Sequence, residues 1–381
     1  MMDHPNILVI GAAGRNVGKT EFVCQLISRY ASSQTVIGIK ITTIKDCDGA
    51  CPRGGQGCGV CSSLKGNYLI TREAPANNNK DTARMLRAGA GAVYWLRVKR
   101  EHLMEGVIRL LEQLPPNAMV VCESNSVRSV LTPGLFLVIR EKNSTTIKES
   151  CQSVIAQADR ILEFDGNGWD LQPENVRFHS GQWILRQNAA AIILAGGQSR
   201  RMGQDKSMLP TPNGPLIGHI ANQLLPQFRQ VLIAANDPQK YHFLGLPVVP
   251  DLVPGQGPLM GIVSALEASV HDLNFVTGCD IPHMDPGFIR VLLKEATDYD
   301  LVMPRSVPQT AEDHGRYEPL FAVYRKSVCG PAREILAGGG RKIAMLLDRV
   351  RARIIPMPDA PWYRNLNTQD DYVQWVHAGT T

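Results

Sequence analysis

Two stretches of the chain carry residue types suited to holding phosphate. The first is GAAGRNVGKTEF, Gly11 to Phe22, where Gly18, Lys19 and Thr20 match the end of a G-x-x-x-x-G-K-[ST] phosphate loop. The motif's first glycine slot holds Ala13, flanked by Gly11 and Gly14. Backbone N–H groups at a helix start favour an anion. Lys19 would neutralise β- and γ-phosphate charge, and Thr20 would offer its hydroxyl to Mg2+. The second stretch is LAGGQSRRMGQDK, Leu194 to Lys206. It lacks the Gly-Lys-Thr ending and must hold phosphate differently. Gly196 and Gly197 let the backbone approach a nucleobase and phosphate without Cβ interference. Arg200 and Arg201 add positive charge, and Lys206, ten residues after Gly196, is far enough along to fold back over a triphosphate.

Carboxylates stand near both loops in the expected order. Glu123 ends the apolar run AMVVCES and is a candidate to hold Mg2+ through water or to position a nucleophile. Asp81, in KDTARML, is either a switch-type carboxylate or a helix N-cap. Asp280 follows NFVTGC at the carboxyl end of an expected strand, where open α/β sheets bind ligands. It is assigned to Mg2+, which prefers hard oxygen donors and keeps waters. Asp251, in VVPDLVPGQGPLMGI, is a second acidic contact to nucleotide or metal, and Asn236, in IAAND, is a nucleotide-side or turn residue. Lys206, Arg201 and Asp280 then form the expected catalytic group, aligning two anions and stabilising charge at phosphorus. Separately, Cys47, Cys51, Cys58 and Cys61 are spaced C-x3-C-x6-C-x2-C. Four thiolates on two short turns can surround one ion; Zn2+, an iron–sulfur cluster and a redox-labile disulfide pair remain alternatives. His219 and His314 have no ligand-like spacing.

These residues need elements to position them. ILVIGAA, TVIGIKITT, AVYWLRV, AMVVCES and GLFLVIRE read as strands, with helical KTEFVCQLISRYAS, DTARMLRAGA and EHLMEGVIRLLEQL between some of them. A second series follows: strands AAIILA, QVLIAAN and NFVTGCD, with helices PLIGHIANQLLPQF and GPLMGIVSALEASV. Such alternation predicts an α/β protein of two domains, each a mainly parallel sheet flanked by helices. The Gly-, Pro- and Asn-rich stretch 166–187 reads as a linker between domains at 1–165 and 188–381. LAGGGRK, Leu336 to Lys342, follows helical PAREILAG and reads as a turn, although it resembles a phosphate loop.

A length of 381 residues suits two cores, and 44% hydrophobic with 20% charged residues is globular composition. The net charge of +5 suits anionic small molecules, and no Lys/Arg-rich run argues for nucleic acid. No apolar run approaches the roughly 20 residues of a membrane helix. The N-terminus lacks a basic region before its apolar run, so a cytoplasmic protein is expected.

The motifs also carry resemblances. GRNVGKT, GIKITTIKD, KDTARMLRAGAGAVYWL and MVVCES resemble, over about residues 6–165, the MobB family of nucleotide-binding accessory proteins in molybdopterin guanine dinucleotide synthesis. That resemblance implies a P-loop NTPase-like fold that binds GTP or ATP, with weak hydrolysis at best. LAGGQSRRMGQDK, VVPDLVPGQGPLMGI, FVTGCDIPHM, YEPLFAVY and RNLNTQDDY resemble the molybdenum cofactor guanylyltransferases, MobA, across nearly all of 189–381. This second resemblance implies a Rossmann-like nucleotidyltransferase that uses GTP, Mg2+ and molybdopterin. It further implies that Leu194, Ala195 and Gly196 line the guanine pocket and that Gly261, Asn365 and Asn367 face the pterin. The Gly196-Gly197 pair favours guanine over cytosine within that family. Cytidylyl or sugar-phosphate nucleotidyl transfer is the enzymatic alternative, and a nucleotide-gated cofactor or metal carrier the non-enzymatic one. Recipient molybdoenzymes and other cofactor-biosynthesis proteins are the further partners implied.

Overall fold

The computed structural model describes residues 2–44, 64, 66–75, 78–196, 205–306, 315–358, 363 and 365–378. The chain divides into two compact units, Met1–Leu185 and Arg186–Thr381.

Strands buried on both faces organise each unit. In the first, β1 (Met2–Ala12) sends Leu8, Ile10 and Ala12 into one core and Ile7 and Val9 into another. A continuous apolar run of this kind is what a central parallel strand with covered faces requires. The unit continues through α1 (Lys19–Ala31), β2 (Val36–Ile44), β3 (Tyr68–Arg72), α2 (Asp81–Arg87), β4 (Ala92–Lys99) and α3 (Leu103–Leu111). It ends with β5 (Met119–Glu123), β6 (Leu131–Glu141), α4 (Glu149–Gln152), β7 (Arg160–Phe164), β8 (Val176–His179) and β9 (Gln182–Leu185). The sheet order is β3-β4-β2-β5-β1-β6-β7, parallel except where β3 meets β4. Helix α1 buries Phe22, Val23, Leu26 and Ile27, a single face at helical spacing.

The second unit opens with β10 (Gln187–Leu194), whose Ala191 and Ile193 enter one core and whose Ile192 and Leu194 enter the other. It continues through β11 (Pro210–Thr211), β12 (Gly214–Pro215), α5 (Leu216–Leu224), β13 (Phe228–Ala234), β14 (Val248–Val249), α6 (Pro258–Ala268) and β15 (Leu273–Gly278). The remainder is α7 (Pro286–Glu295), β16 (Leu301–Arg305), β17 (Phe321–Arg325), α8 (Cys329–Ala337), β18 (Ala352–Pro356) and α9 (Gln369–Ala378). The sheet order is β14-β13-β10-β15-β17-β16-β18, with β17 antiparallel to both neighbours. From β10 the chain moves outward to β13 and β14, then returns to β15 on the opposite side. The carboxyl ends of β10 and β15 therefore flank a topological switch point, the usual ligand crevice of open α/β sheets.

The stretch expected to be a linker, 166–187, is not one. Residues 176–185 form the β8–β9 hairpin, closed by Ser180 and Gly181 at φ 48° and 79°. Positive φ at both central residues is the geometry that matches hairpin twist. Trp183 is 1% exposed and donates its Nε1–H to the carbonyls of Asn6 (3.1 Å) and Val120 (2.9 Å). Composition concealed this because polar turn residues surround the few apolar positions that anchor the hairpin. The first unit thus extends to Leu185, and only Arg186 separates β9 from β10. LAGGGRK is a turn, running from the end of α8 into a 3-10 segment at Ile343–Asp348.

Trp183→Ala is expected to destabilise the first unit by about 3–5 kcal/mol, through a cavity and two lost hydrogen bonds. Denaturant unfolding of the full chain would read this as a lower midpoint for that unit. An unchanged midpoint would contradict the packed hairpin.

Candidate functional site

In the first unit the loop after β1 passes directly into α1. Gly18 caps that helix at φ 70°, a conformation costly for residues with a Cβ, and an added Cβ there would also stand 2.8 Å from Trp169. The following Lys19 and Thr20 meet a carboxylate from the end of β5. Lys19 Nζ lies 3.1 Å from Glu123 Oε1, and the Thr20 hydroxyl donates to Glu123 Oε2 at 2.8 Å. Lys40, on β2, stands 3.5 Å from the same Glu123 and also pairs with Asp81. Glu123 is 3% exposed, so these cations and the hydroxyl compensate a charge that burial alone would not tolerate. Burial opposes ionisation of Asp81 too. The hydrogen bond and charge of Lys40, with Thr20 and Lys19 close by, outweigh it and hold the Asp81 carboxyl below the usual range. Asp81 is the first residue of α2, with Lys80 in the N-cap position, so its carboxylate serves this cluster and the N-cap reading is corrected. Gly14 joins Lys19, Thr20, Lys40, Asp81 and Glu123 in lining a cleft of about 1050 Å3.

In the second unit, Leu194, Ala195 and Gly196 lie where β10 ends. Leu194 and Ala195 are buried, and their polar backbone atoms are engaged. Leu194 O accepts from Cys279 N (3.1 Å), Ala195 N donates to Ala234 O (3.0 Å), and Ala195 O accepts from the Tyr241 hydroxyl (3.1 Å). Gly196 is the first exposed residue of the loop. Gly197 and Arg201 fall outside the described residues, as do Arg200, His314 and all four of Cys47, Cys51, Cys58 and Cys61.

Lys206 returns to the crevice from a short 3-10 turn. Its Nζ lies 3.3 Å from Asp280 Oδ2 and donates to Asn367 Oδ1 at 3.2 Å. Residues 161 apart in the sequence are thereby joined with the end of β15. Asp280 sits close over the backbone: a Cβ on Gly278 would meet its Oδ1 at 2.6 Å. Its backbone carbonyl accepts from Leu366 N at 2.8 Å, which brings in the Asn365–Asn367 segment. The neighbouring Cys279 thiol is pushed up to about 12 by burial and then by the Asp280 charge, so it stays neutral.

Asp251 and Asn236 form a reciprocal pair. Asn236 Nδ2 donates to Asp251 Oδ2 (2.9 Å) and Asp251 N donates to Asn236 Oδ1 (2.7 Å). Asn236 therefore orients Asp251. Gly261, on α6, lies beside this pair: an added Cβ would approach Asp251 Oδ1 at 3.4 Å and Leu194 at 3.7 Å. Asn365 is half-buried, and its Oδ1 has no hydrogen-bond partner among the described residues.

Three supporting residues were given no role by the sequence, although Glu318 lies within YEPLFAVY. Tyr241, 1% exposed, links the Lys206 turn to β10 by bonding Ser207 Oγ (3.0 Å) and Ala195 O. Trp169 donates to Val17 O at 3.3 Å and packs edge-on against Phe22, bracing the loop between β1 and α1. Glu318 has its carboxyl raised, chiefly by burial, against the opposing effects of Tyr363 and Arg316 and with the help of the Asp280 charge. Each depends on contacts far apart in sequence, which spacing does not disclose.

The second unit is also similar in sequence to known proteins. Residues 191–352 match the MobA-like NTP transferase domain family. The probable molybdenum cofactor guanylyltransferase of Carboxydothermus hydrogenoformans is 35% identical over 193 residues, covering 49% of this chain and 94% of that protein. The molybdenum cofactor guanylyltransferase of Serratia proteamaculans is 31% identical over 195 residues, covering 50% and 95% respectively. The solved structure of molybdopterin-guanine dinucleotide biosynthesis protein A from Archaeoglobus fulgidus has a TM-score of 0.43 at 23% identity, covering 50% of this chain and 98% of that one. The second unit is thus an α/β nucleotidyltransferase. Through it, the chain belongs to the molybdenum cofactor guanylyltransferase family. No helix among the described residues is long and apolar enough to cross a membrane.

His219, which sequence spacing left without a role, packs against Trp375 of α9 at 5.5 Å and lies 6.4 Å from His283. Burial holds both imidazoles below the ordinary histidine value, and for His219 the neighbouring His283 adds to the effect. The folded state therefore favours the neutral rings, and the unfolded chain binds more protons below that value. Stability of the second unit should be full above about pH 6.5 and fall as the pH drops through it. Denaturant midpoints at about pH 5 and pH 7.5 would show the loss, and His283→Asn should reduce it. An identical loss in the variant would contradict the assignment.

Proposed function

We propose that the second unit transfers GMP from GTP to the terminal phosphate of molybdopterin, forming molybdopterin guanine dinucleotide and releasing pyrophosphate. The observation that carries this reading is the meeting of Lys206, Asp280 and Asn367 at the crevice beside the β10 loop. A phosphate oxygen of molybdopterin attacks the α-phosphorus of GTP. A new P–O bond forms as the bond to the β-phosphate bridge breaks, and its electron pair leaves with pyrophosphate. The attacking phosphate is already ionised near neutral pH, so no protein base is required. The difficulty is bringing two anions together and stabilising the charge that develops on the leaving group.

Lys206 answers part of that difficulty. Its side chain is 16% exposed, and its ammonium is held at the crevice by Asp280 and Asn367, ready to turn toward the triphosphate. Gly196, with Gly197 and Arg201 beyond it, would admit the guanine and phosphates, while Tyr241 holds the Lys206 turn to β10. Asp251, oriented by Asn236, would contact nucleotide or metal. Gly261, Asn365 and Asn367 would face the pterin, and the unpartnered Asn365 Oδ1 suits an N–H donor on that ring system. Asp280 fits Mg2+: its carboxylate is a hard-oxygen donor on a side chain 28% exposed, which suits an ion that keeps waters and phosphate oxygens. When bound, Mg2+ would neutralise triphosphate charge at Asp280 in the second unit and at Thr20, with Glu123 nearby, in the first.

The first unit we read as a MobB-like accessory that binds GTP or ATP through Gly14, Gly18, Lys19 and Thr20. The Lys19–Glu123–Thr20 cluster at the start of α1 supports this. Such a unit would assist transfer by delivering substrate or gating product release. A cytoplasmic protein handing its product to molybdoenzymes follows from the same reading.

Incubating the purified chain with molybdopterin, GTP and Mg2+ should yield a product with the mass of the guanine dinucleotide, and CTP should replace GTP poorly. Asp280→Ala and Lys206→Ala should each lower turnover by roughly a hundredfold or more. Full turnover in either variant, or equal use of CTP, would overturn the reading.

A further inference from the structure

The crevice of the second unit holds one acid that the proposed reaction does not use. Glu318 stands just ahead of β17, two residues before Leu320, whose carbonyl accepts from Gly278 N at 3.0 Å. Because β17 runs antiparallel to β15, this brings Glu318 to the carboxyl end of β15, where Asp280 lies. The sheet order sets its side. The loop after β10 and the Asn236–Asp251 pair, beyond β13 and β14, lie on one flank of β15, and β17 lies on the other. A nucleotide held by that loop and that pair leaves the β17 flank for its acceptor.

The backbone around Glu318 is tied down. Its N–H donates to Pro304 O at 2.9 Å, on β16, and its carbonyl accepts from Phe321 N at 3.1 Å. Tyr363 packs edge-on against Phe321 at 5.7 Å. Three residues further on, Leu366 N donates to Asp280 O, and Asn367 accepts from Lys206. One short segment, 363–367, thus reaches Glu318, Asp280 and Lys206 together.

The Glu318 side chain is half-buried and makes no ion pair among the described residues. Burial raises its carboxyl, and the Asp280 charge adds to this, against the Tyr363 hydroxyl and the Arg316 charge. A half-buried acid of this kind is costly until something donates hydrogen bonds to it. Phosphates are repelled by it. The partner that suits it is the uncharged, N–H-bearing part of a substrate whose phosphate lies at Lys206.

We propose that Glu318 selects the acceptor by its heterocycle. Its two carboxylate oxygens would accept the ring N–H and the exocyclic amino N–H of a 2-amino-4-oxopyrimidine edge, with Tyr363 as a positioning residue. Two acceptor oxygens match two adjacent donors, and the charge strengthens both hydrogen bonds. The pterin of molybdopterin has this edge, and so does guanine. The place of Glu318 on the β17 flank, away from the Asn236–Asp251 pair, assigns it to the pterin. The proposal rests on the reading of the second unit as a molybdopterin guanylyltransferase and adds the residue that recognises its acceptor.

Steady-state transfer by the full chain, with molybdopterin and GTP varied in turn, tests this. Glu318→Gln keeps the shape but replaces one acceptor by a donor, and Glu318→Ala removes both acceptors. Each should raise the KM for molybdopterin roughly tenfold or more, with the KM for GTP, kcat and the denaturant midpoint near those of the unaltered chain. Tyr363→Phe should raise the same KM by less. A raised KM for GTP alone would place guanine at Glu318 and overturn the proposal. So would unchanged constants in Glu318→Gln, or a fall in kcat with both KM values unchanged. In each of those cases transfer by the unaltered chain leaves the proposed function standing. No guanine dinucleotide from the unaltered chain would overturn both.

Discussion

Phosphoryl chemistry between two anions requires positive charge where they meet, and in the function proposed here the Lys206–Asp280 pair would place it at the crevice of the second unit. Asp280 is fixed at the end of β15 by the close approach of Gly278 and by the Leu366 N–H on its carbonyl. Lys206 is fixed by its 3-10 turn, which Asp205 caps and Tyr241 ties to β10. A lysine with an aspartate as its resting partner stays close to the crevice without being consumed by it. The pair is partly exposed, so its worth to stability is small. Its importance is geometric.

In the function proposed here the two units would meet similar problems with different parts. In each, a lysine that follows the central strand meets a carboxylate from the end of a strand hydrogen-bonded to it: Lys19 with Glu123 beside β1, Lys206 with Asp280 beside β10. The first lysine sits on the opening turn of a 13-residue helix and uses the backbone of the helix start. The second lies twelve residues after the end of β10, on a 3-10 turn. Glu123 is buried and balanced by two lysines and a hydroxyl, while Asp280 is open to the crevice. In the proposed function the first arrangement would suit tight holding, and the second a site that admits two substrates.

Much of this was legible in the sequence because it rests on local signals. The apolar runs around Leu8 and Ile192 announced central strands, and Gly18-Lys19-Thr20 announced a strand-to-helix turn. Asp280 followed from its place at a strand end. The hairpin at 176–185 was missed because Ser180-Gly181 looked like linker chemistry, although two positive-φ positions flanked by Phe178 and Trp183 are also a hairpin signal. Asp81 was ambiguous because an aspartate at a helix start has two possible partners, and only the fold brings Lys40 to it. Tyr241 and Trp169 were invisible because their partners Ser207 and Val17 lie 34 and 152 residues away in the chain.

The most direct test of the central claim is a crystal structure of the full chain with Mg2+ and a GTP analogue that resists transfer. The account predicts, in the second unit, a triphosphate lying between Gly196 and Asp280 with Lys206 turned onto it. A triphosphate bound elsewhere in that unit, with Lys206 and Asp280 still paired, would contradict it.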